Sequence, residues 1–298
     1  MLIIVIPMKK HLQAAFDALL FSNVFMALCA VAQGLVTFHI IGSKPVYPVL
    51  ALLFASTLGL YNFCILIIRP KRPETSPYRR VRWFFAHHRL MVTMTIACLM
   101  ALIPLFFLLA NSSKLLLVGL AILSFGYGLP LFTSKGGKSG LRNVPGLKAI
   151  LITLVWTLSC VMLPILEAQD TLHVTVSTST TWIILAKRFL FIAALTVPFD
   201  IRDLFQDRIA GLKTIPVAFG EQKAYLFCQF LLAGHILLLL LLRNYRLTSD
   251  FFALTTVSIL TGWLIFKSTW QRNEYYYFFF LDGVLILQYV ALVVFEQF

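Results

Sequence analysis

The chain has 298 residues, 60% of them hydrophobic and only 12% charged, with a formal net charge of +13. Soluble domains are near half apolar and a quarter charged, so these proportions exclude an ordinary water-soluble enzyme, a disordered chain and a small disulfide-stapled fold. The mean hydropathy of +0.88 is not concentrated in one helix: apolar runs of about 18 to 25 residues, each able to cross a hydrocarbon core of about 30 Å, recur from end to end.

Taken in order, nine spans are expected, at 15–38, 46–68, 90–110, 114–133, 147–167, 182–199, 222–242, 249–267 and 276–295. The fold class is all-α, a polytopic bundle forming a single domain over 1–298. Turn and interface residues separate the spans, among them Gly42-Ser43-Lys44-Pro45, Asn111-Ser112-Ser113 and Asn244-Tyr245-Arg246. The opening MLIIVIPMKK places apolar residues before lysines, the reverse of a secretory signal. The five cysteines are scattered with no metal-ligand spacing and are read as packing residues.

Counting Lys and Arg on each side gives nineteen against six. The N-terminus and the loops after spans 2, 4, 6 and 8 are therefore expected in the cytoplasm, and the C-terminus on the opposite side. The short loops and the missing transit peptide point to a bacterial inner membrane. Basic residues this close to spans suit anionic lipid or phosphorylated ligands in the bilayer, not nucleic acid. Lys187 and Arg188 are expected to snorkel to the outer surface. Asp17 and Asp282 are acids at membrane depth, costly unless they face protein or water.

Two loops are longer than a compact bundle needs, Arg69 to Arg89 and Asp200 to Gln222. The second carries the strongest local signal, Pro198-Phe199-Asp200-Ile201-Arg202-Asp203 and onward through Asp207, Lys213 and Thr214. If span 6 continues as a helix, Asp200, Asp203 and Asp207 share one face within about 60°. Three like charges so placed repel unless a cation sits among them. Oxygen ligands suit Mg²⁺, which takes one or two carboxylates and completes its shell with water and phosphate oxygens. Lys213 and the Thr214 hydroxyl would contact phosphate. The same residues also fit a solvated interfacial turn in which Asp203 pairs with Arg202 or Arg208.

The stretch DIRDLFQDRIAGLKTIPVAFG resembles the second aspartate motif of the UbiA superfamily of intramembrane prenyltransferases. Nine spans, a cytoplasmic N-terminus and long loops after spans 2 and 6 match that family, as do Tyr127 and the segment LRNVPGLKAILI entering span 5. The resemblance implies Mg²⁺-dependent transfer of a prenyl group from a polyprenyl diphosphate to an aromatic or other small acceptor. It makes Asp200, Asp203 and Asp207 the metal ligands and, with Lys213, the catalytic set. Asn62, Arg69, Arg72, Tyr127, Arg202 and Thr214 form the substrate-binding set.

The family's first aspartate motif is degenerate. Its place reads Tyr61-Asn62-Phe63-Cys64-Ile65-Leu66-Ile67-Ile68-Arg69-Pro70, with Phe63, Leu66 and Pro70 where aspartates would stand. The expectation is a one-sided metal site backed by first-loop cations drawn from Arg69, Lys71, Arg72, Arg79, Arg80 and Arg82. Two other readings fit the residues: a catalytically inactive homologue that binds an isoprenoid lipid or a partner, and a transporter.

Overall fold

The computed structural model describes residues 10–297 apart from 68, 71, 129–131, 135–136, 140–146, 210, 213 and 243–244. In chain order the helices are α1 (Lys10–Phe21), α2 (Val24–Ile40), α3 (Tyr47–Ile67), α4 (Arg79–Ala86), α5 (His88–Leu108), α6 (Asn111–Gly128), α7 (Leu147–Thr157) and α8 (Leu163–Leu172). There follow α9 (Thr178–Arg202), α10 (Leu204–Ile209), α11 (Ile215–Phe219), α12 (Glu221–Leu242), α13 (Ser249–Lys267) and α14 (Asp282–Phe295). A π-helical turn, Leu158–Met162, joins α7 to α8, and a second, Tyr276–Leu281, leads into α14. After α6 the chain forms a small antiparallel hairpin, β1 (Phe132–Ser134) and β2 (Gly137–Ser139), with Thr133 opposite Lys138. This is the one departure from all-α among the described residues.

These helices are apolar around most of their circumference because lipid, not water, is the outer solvent. Among the described residues seven helices are long and apolar enough to cross a membrane, and the chain is an integral membrane protein. The expected first span is two helices bent by 60°, and counting that pair as one gives eight. The break falls at Asn23, whose φ of 68° is left-handed, a conformation that Asn tolerates better than most residues. The expected fourth span is, among the described residues, the shorter apolar stretch Asn111–Ser124, so the count of nine is not confirmed.

Around the bundle α2 packs on α3 and α14, α14 on α13, α13 on α12, α12 on α9, and α9 on α7, with α5 outside α3. The main core joins α2, α9, α12, α13 and α14 through Phe25, Phe191, Ile201, Leu232, Val257 and Leu285. A smaller core joins α2, α3 and α8. Of the spans, Thr178–Arg202 is the most enclosed and His88–Leu108 the least. The residues on α9 are therefore presented to the inside of the molecule.

The expectation that Lys187 and Arg188 snorkel outward is overturned. Both are buried. Arg188 Nη1 donates to Gln288 Oε1 at 3.3 Å, and the Lys187 carbonyl lies 2.8 Å from His235 Nδ1. They face the bundle because α9 is central, surrounded by α7 and α12.

Candidate functional site

The loops after α3 and α9 meet at one end of the bundle, over a cavity of about 230 Å³. Its floor is apolar, formed by Phe25, Met26, Ile152, Ile192, Leu195 and Leu285. Its head is charged: Arg80, Lys148 and Arg202 stand with Asp200, Asp203 and Asp282.

The α9 side of the head follows from how that helix stops. Helical hydrogen bonding continues through Pro198, and α9 ends at Arg202; Asp203 takes a turn conformation before α10 begins at Leu204. This break divides the expected single face, placing Asp200 on one helix, Asp203 in the turn and Asp207 on the next. Lys148 Nζ donates to Asp200 Oδ1 at 2.8 Å. Arg202 donates through Nε and Nη2 to the two oxygens of Asp203, at 2.8 and 2.9 Å. The same guanidinium lies over the rings of Phe199, Tyr277 and Phe278 at 5.2 to 5.6 Å, contacts worth about 0.5–2 kcal/mol each where desolvated. From the first long loop, Tyr78 brings its hydroxyl to Asp203; burial and that carboxylate push the phenol up to about 12.

Asp207 is buried but outside the cavity wall, and its Oδ2 has no hydrogen-bond partner among the described residues. Burial pushes its carboxyl above the ordinary range, while Lys148 opposes the shift. Thr214 stands close enough to Asp207 to favour its charge, yet its buried hydroxyl makes no hydrogen bond of good geometry among the described residues.

Across the cavity, where the degenerate motif lies, the structure uses amides and guanidinium groups. Asn62, at the end of α3, is fully buried, and its Oδ1 accepts from Asn23 Nδ2 at 2.6 Å. Asn23 in turn accepts from Arg80 Nη2. Asn62 is thus one layer behind the wall, and Asn23 is the residue that lines the cavity. Arg80 lies 4.5 Å over the Phe278 ring. Burial and the nearby Arg202 pull its pKa down to about 10, with Asp282 opposing, so it remains a cation at neutral pH. The helix that carries Arg80 is held from outside. Glu274 accepts from the backbone N–H groups of Arg79 and Arg80 at 2.7 and 2.9 Å, capping α4. Arg79 Nη2 pairs with Asp17 Oδ2 at 2.6 Å, and the Tyr275 hydroxyl donates to the same carboxylate.

Arg69 and Arg72 are not brought to the cavity. Arg69 is exposed with its guanidinium 5.6 Å from the Phe85 ring, and Arg72 is exposed in the turn that carries Thr75. Lys213 and the Tyr127 side chain lie outside the described residues. The residues passed over in the sequence are Lys148 and Asn23, which line the cavity, and Tyr78, which reaches Asp203. Lys148 sits in the quoted LRNVPGLKAILI segment, and its place one residue inside α7 is the signal that marks it as more than a surface anchor.

A second, larger chamber of about 440 Å³ lies between α3, α5, α6 and α7. It is walled by Leu60, Leu99, Leu102, Phe106 and Leu117. Tyr61 and Trp156 line both chambers, and Trp156 Nε1 donates to the Tyr61 hydroxyl at 3.2 Å. A charged head thus opens onto apolar space divided by one hydrogen-bonded aromatic pair.

Among the described residues no group of three or more His, Cys, Asp or Glu side chains converges in the way a preformed metal cluster does. Two causes act together: the turn at Asp203 separates the carboxylates, and Lys148 and Arg202 occupy two of them. Mg²⁺ needs only one or two carboxylates. Asp200 and Asp207 fit that requirement, since they act on each other electrostatically and Asp207 Oδ2 is a buried acceptor without a partner.

No family model and no curated protein matches the sequence. Solved structures do. A UbiA homolog from Archaeoglobus fulgidus bound to GPP and Mg²⁺ aligns with a TM-score of 0.66 at 14% identity, over 95% of this chain and 100% of that one. The apo structure of a UbiA homolog from Aeropyrum pernix K1 gives 0.66 at 15% identity, over 92% and 99%. A structure of digeranylgeranylglyceryl phosphate synthase gives 0.57 at 14%, over 95% and 98%. The chain has the UbiA fold over nearly its whole length.

Proposed function

We propose that this chain is a UbiA-superfamily prenyltransferase that uses Mg²⁺ to transfer a prenyl group from a polyprenyl diphosphate to a small acceptor. The observation that carries the reading is the joining of two environments: a head holding Asp200, Asp203, Lys148, Arg202 and Arg80, opening directly onto apolar space. The binding of GPP and Mg²⁺ by the Archaeoglobus fulgidus homolog of the same fold supports it.

The charges define what each group does. Three cations and three acids line the head, so it is close to neutral and attracts a diphosphate weakly by itself. A divalent ion held by Asp200 and Asp207, with Asp203, would supply the missing positive charge and stabilise the departing diphosphate. With a divalent ion held by those carboxylates, Lys148 and Arg202 would be free to bind phosphate oxygens. Arg80 meets the diphosphate from the opposite side, where the first aspartate motif is lost. As the allylic C–O bond breaks, its electron pair goes to the diphosphate, and the faces of Phe199 and Phe278 line the space in which positive charge develops. The apolar chamber beyond Tyr61 and Trp156 takes the hydrocarbon tail and keeps water from the cation. By the distribution of Lys and Arg, the head faces the cytoplasm, across a bacterial inner membrane.

The test is pyrophosphate release from geranyl diphosphate by the purified chain. Release that requires Mg²⁺ and is lost in D200N and D203N supports the reading. Binding of geranyl diphosphate without release identifies the catalytically inactive relative, and release unaffected by both substitutions removes the aspartates from the reaction.

A further inference from the structure

The cations of the first long loop divide between two faces of α4. Arg80, which lines the cavity, and the fully buried Phe84 are one turn apart on the inner face. Arg82 lies about 200° round the helix from Arg80 and is exposed. Arg69, just past the end of α3, holds its guanidinium 5.6 Å from the ring of Phe85, one turn on from Arg82 on the same outer side. Arg82 also donates through Nη1 to the Ser76 carbonyl, which ties the turn that begins at Arg72 to α4. Arg72 and Arg89 are exposed as well. None of Arg69, Arg72, Arg82 and Arg89 pairs with an acid among the described residues, and the one acid in the sequence from Arg69 to Arg89 is Glu74. The patch borders lipid-facing surface. α3 ends and α5 begins beside it, the two helices pack together, and α5 is the least enclosed of the described spans. Ile67, two residues before Arg69, and Leu90, next after Arg89, are exposed apolar side chains.

We infer that this outer face, where α3, α4 and α5 meet, is a binding surface for the headgroup of an anionic phospholipid. A lipid lying against the first turn of α5 has its acyl chains along Ile67 and Leu90 and its phosphate at the level of Arg69, Arg82 and Arg89. Arginine suits that partner: its guanidinium fork binds phosphate oxygens in pairs, and its stem lies along apolar surface. Selectivity follows from charge. A headgroup of net negative charge gains from each arginine, whereas a zwitterionic one brings its own ammonium into a field that Glu74 offsets by a single charge. A soluble phosphate would meet the same cations but gains nothing from the apolar side chains beside them. Because the inner face of α4 carries Arg80, a headgroup bound to the outer face also steadies the helix that builds the cavity head. Lipid binding here is independent of prenyl transfer.

The full chain, purified in detergent, is mixed with equal amounts of dioleoylphosphatidylglycerol and dioleoylphosphatidylcholine, and the lipids retained are counted by native mass spectrometry. At low salt the wild type is expected to prefer phosphatidylglycerol at least about tenfold, which two arginines at about fivefold each supply. The preference should fall toward one in about 1 M ammonium acetate, where the screening length is about 3 Å. R69Q/R72Q/R82Q/R89Q is expected to abolish it. R208Q/K223Q/K267Q, which removes three exposed cations of other loops, is expected to keep it. A wild-type ratio near one, or a preference indifferent to salt, overturns the inference with no variant needed. So does a preference that survives in the folded quadruple variant or is lost equally in the triple variant. Displacement of the retained phosphatidylglycerol by excess inorganic phosphate at matched ionic strength would assign the cations to a soluble anion and overturn it too. Retention is read without turnover, so its failure leaves the prenyl-transfer reading standing, and absent pyrophosphate release leaves the lipid surface standing.

Discussion

The two sides of the cavity head meet the same charge by different chemistry. On the α9 side stand Asp200 and Asp203, each held by a cation; on the side of α3 and α4 stand Asn23 and Arg80, backed by buried Asn62. An acid side needs a divalent ion before it can attract a diphosphate. A guanidinium side acts directly, and it stays positive because an arginine pulled down to about 10 is still protonated at pH 7. Loss of one aspartate motif therefore leaves the head with an electrostatic counterpart there, supplied by Arg80, eighteen positions after Asn62.

Removing the acid side should have the largest effect. D200N leaves the part-buried Lys148 without its carboxylate partner while taking away a candidate metal ligand. Mg²⁺-dependent pyrophosphate release is expected to fall by about 10³-fold, the scale seen when a group stabilising transition-state charge is lost. Circular dichroism and thermal melting separate this from unfolding. Removing the guanidinium side should come next. R80M is expected to lower kcat/KM for geranyl diphosphate by about 10²-fold, and added Mg²⁺ should not restore it. Full rescue by excess Mg²⁺ would show that Arg80 duplicates the metal and is no counterpart to it.

Asp207 sharpens the comparison through pH. Its carboxyl is pushed up by burial, so the folded state favours the protonated form. Its stabilising contribution is present at low pH and is lost as pH rises through the raised value. The metal-free protein should therefore lose thermal stability over that interval, D207N should flatten the loss, and Mg²⁺ should restore a few degrees at pH 7 by binding the ionised form. Differential scanning fluorimetry across pH, with and without Mg²⁺, measures all three. The smallest effect is expected at the clasp that carries Arg80. E274Q weakens the cap on α4 by about 1 kcal/mol and should reduce turnover only a few-fold, raising KM for the diphosphate more than it lowers kcat.

The sequence and the structure agree most closely where the physics is local. Runs of apolar residues fix spans because the bilayer has one thickness, and every expected span except the first and fourth is a helix long and apolar enough to cross. The break at Asn23 was hidden because Ser22 and Asn23 are two polar residues in a long apolar run, too few to interrupt a hydropathy pattern. The aspartates of α9 were legible from their spacing, but their side-chain partners were not. Lys148 reaches Asp200 only through the packing of α7 on α9, a tertiary fact that no local pattern carries. Among first-loop cations, composition could not distinguish Arg80 from Arg69 or Arg72. What selects it is its position on α4, whose N-terminus Glu274 fixes from nearly two hundred residues away. Asp282 was visible as an acid at membrane depth, yet its common cavity with Asp200 depends on α14 packing against α2.

The most direct test of a head that is neutral until a metal arrives is equilibrium binding of geranyl diphosphate to the wild-type chain, with Mg²⁺ and with a chelator. Affinity at least about a hundredfold higher with Mg²⁺, and a difference that disappears in D200N, is the result expected here. Equal affinity under both conditions would contradict it.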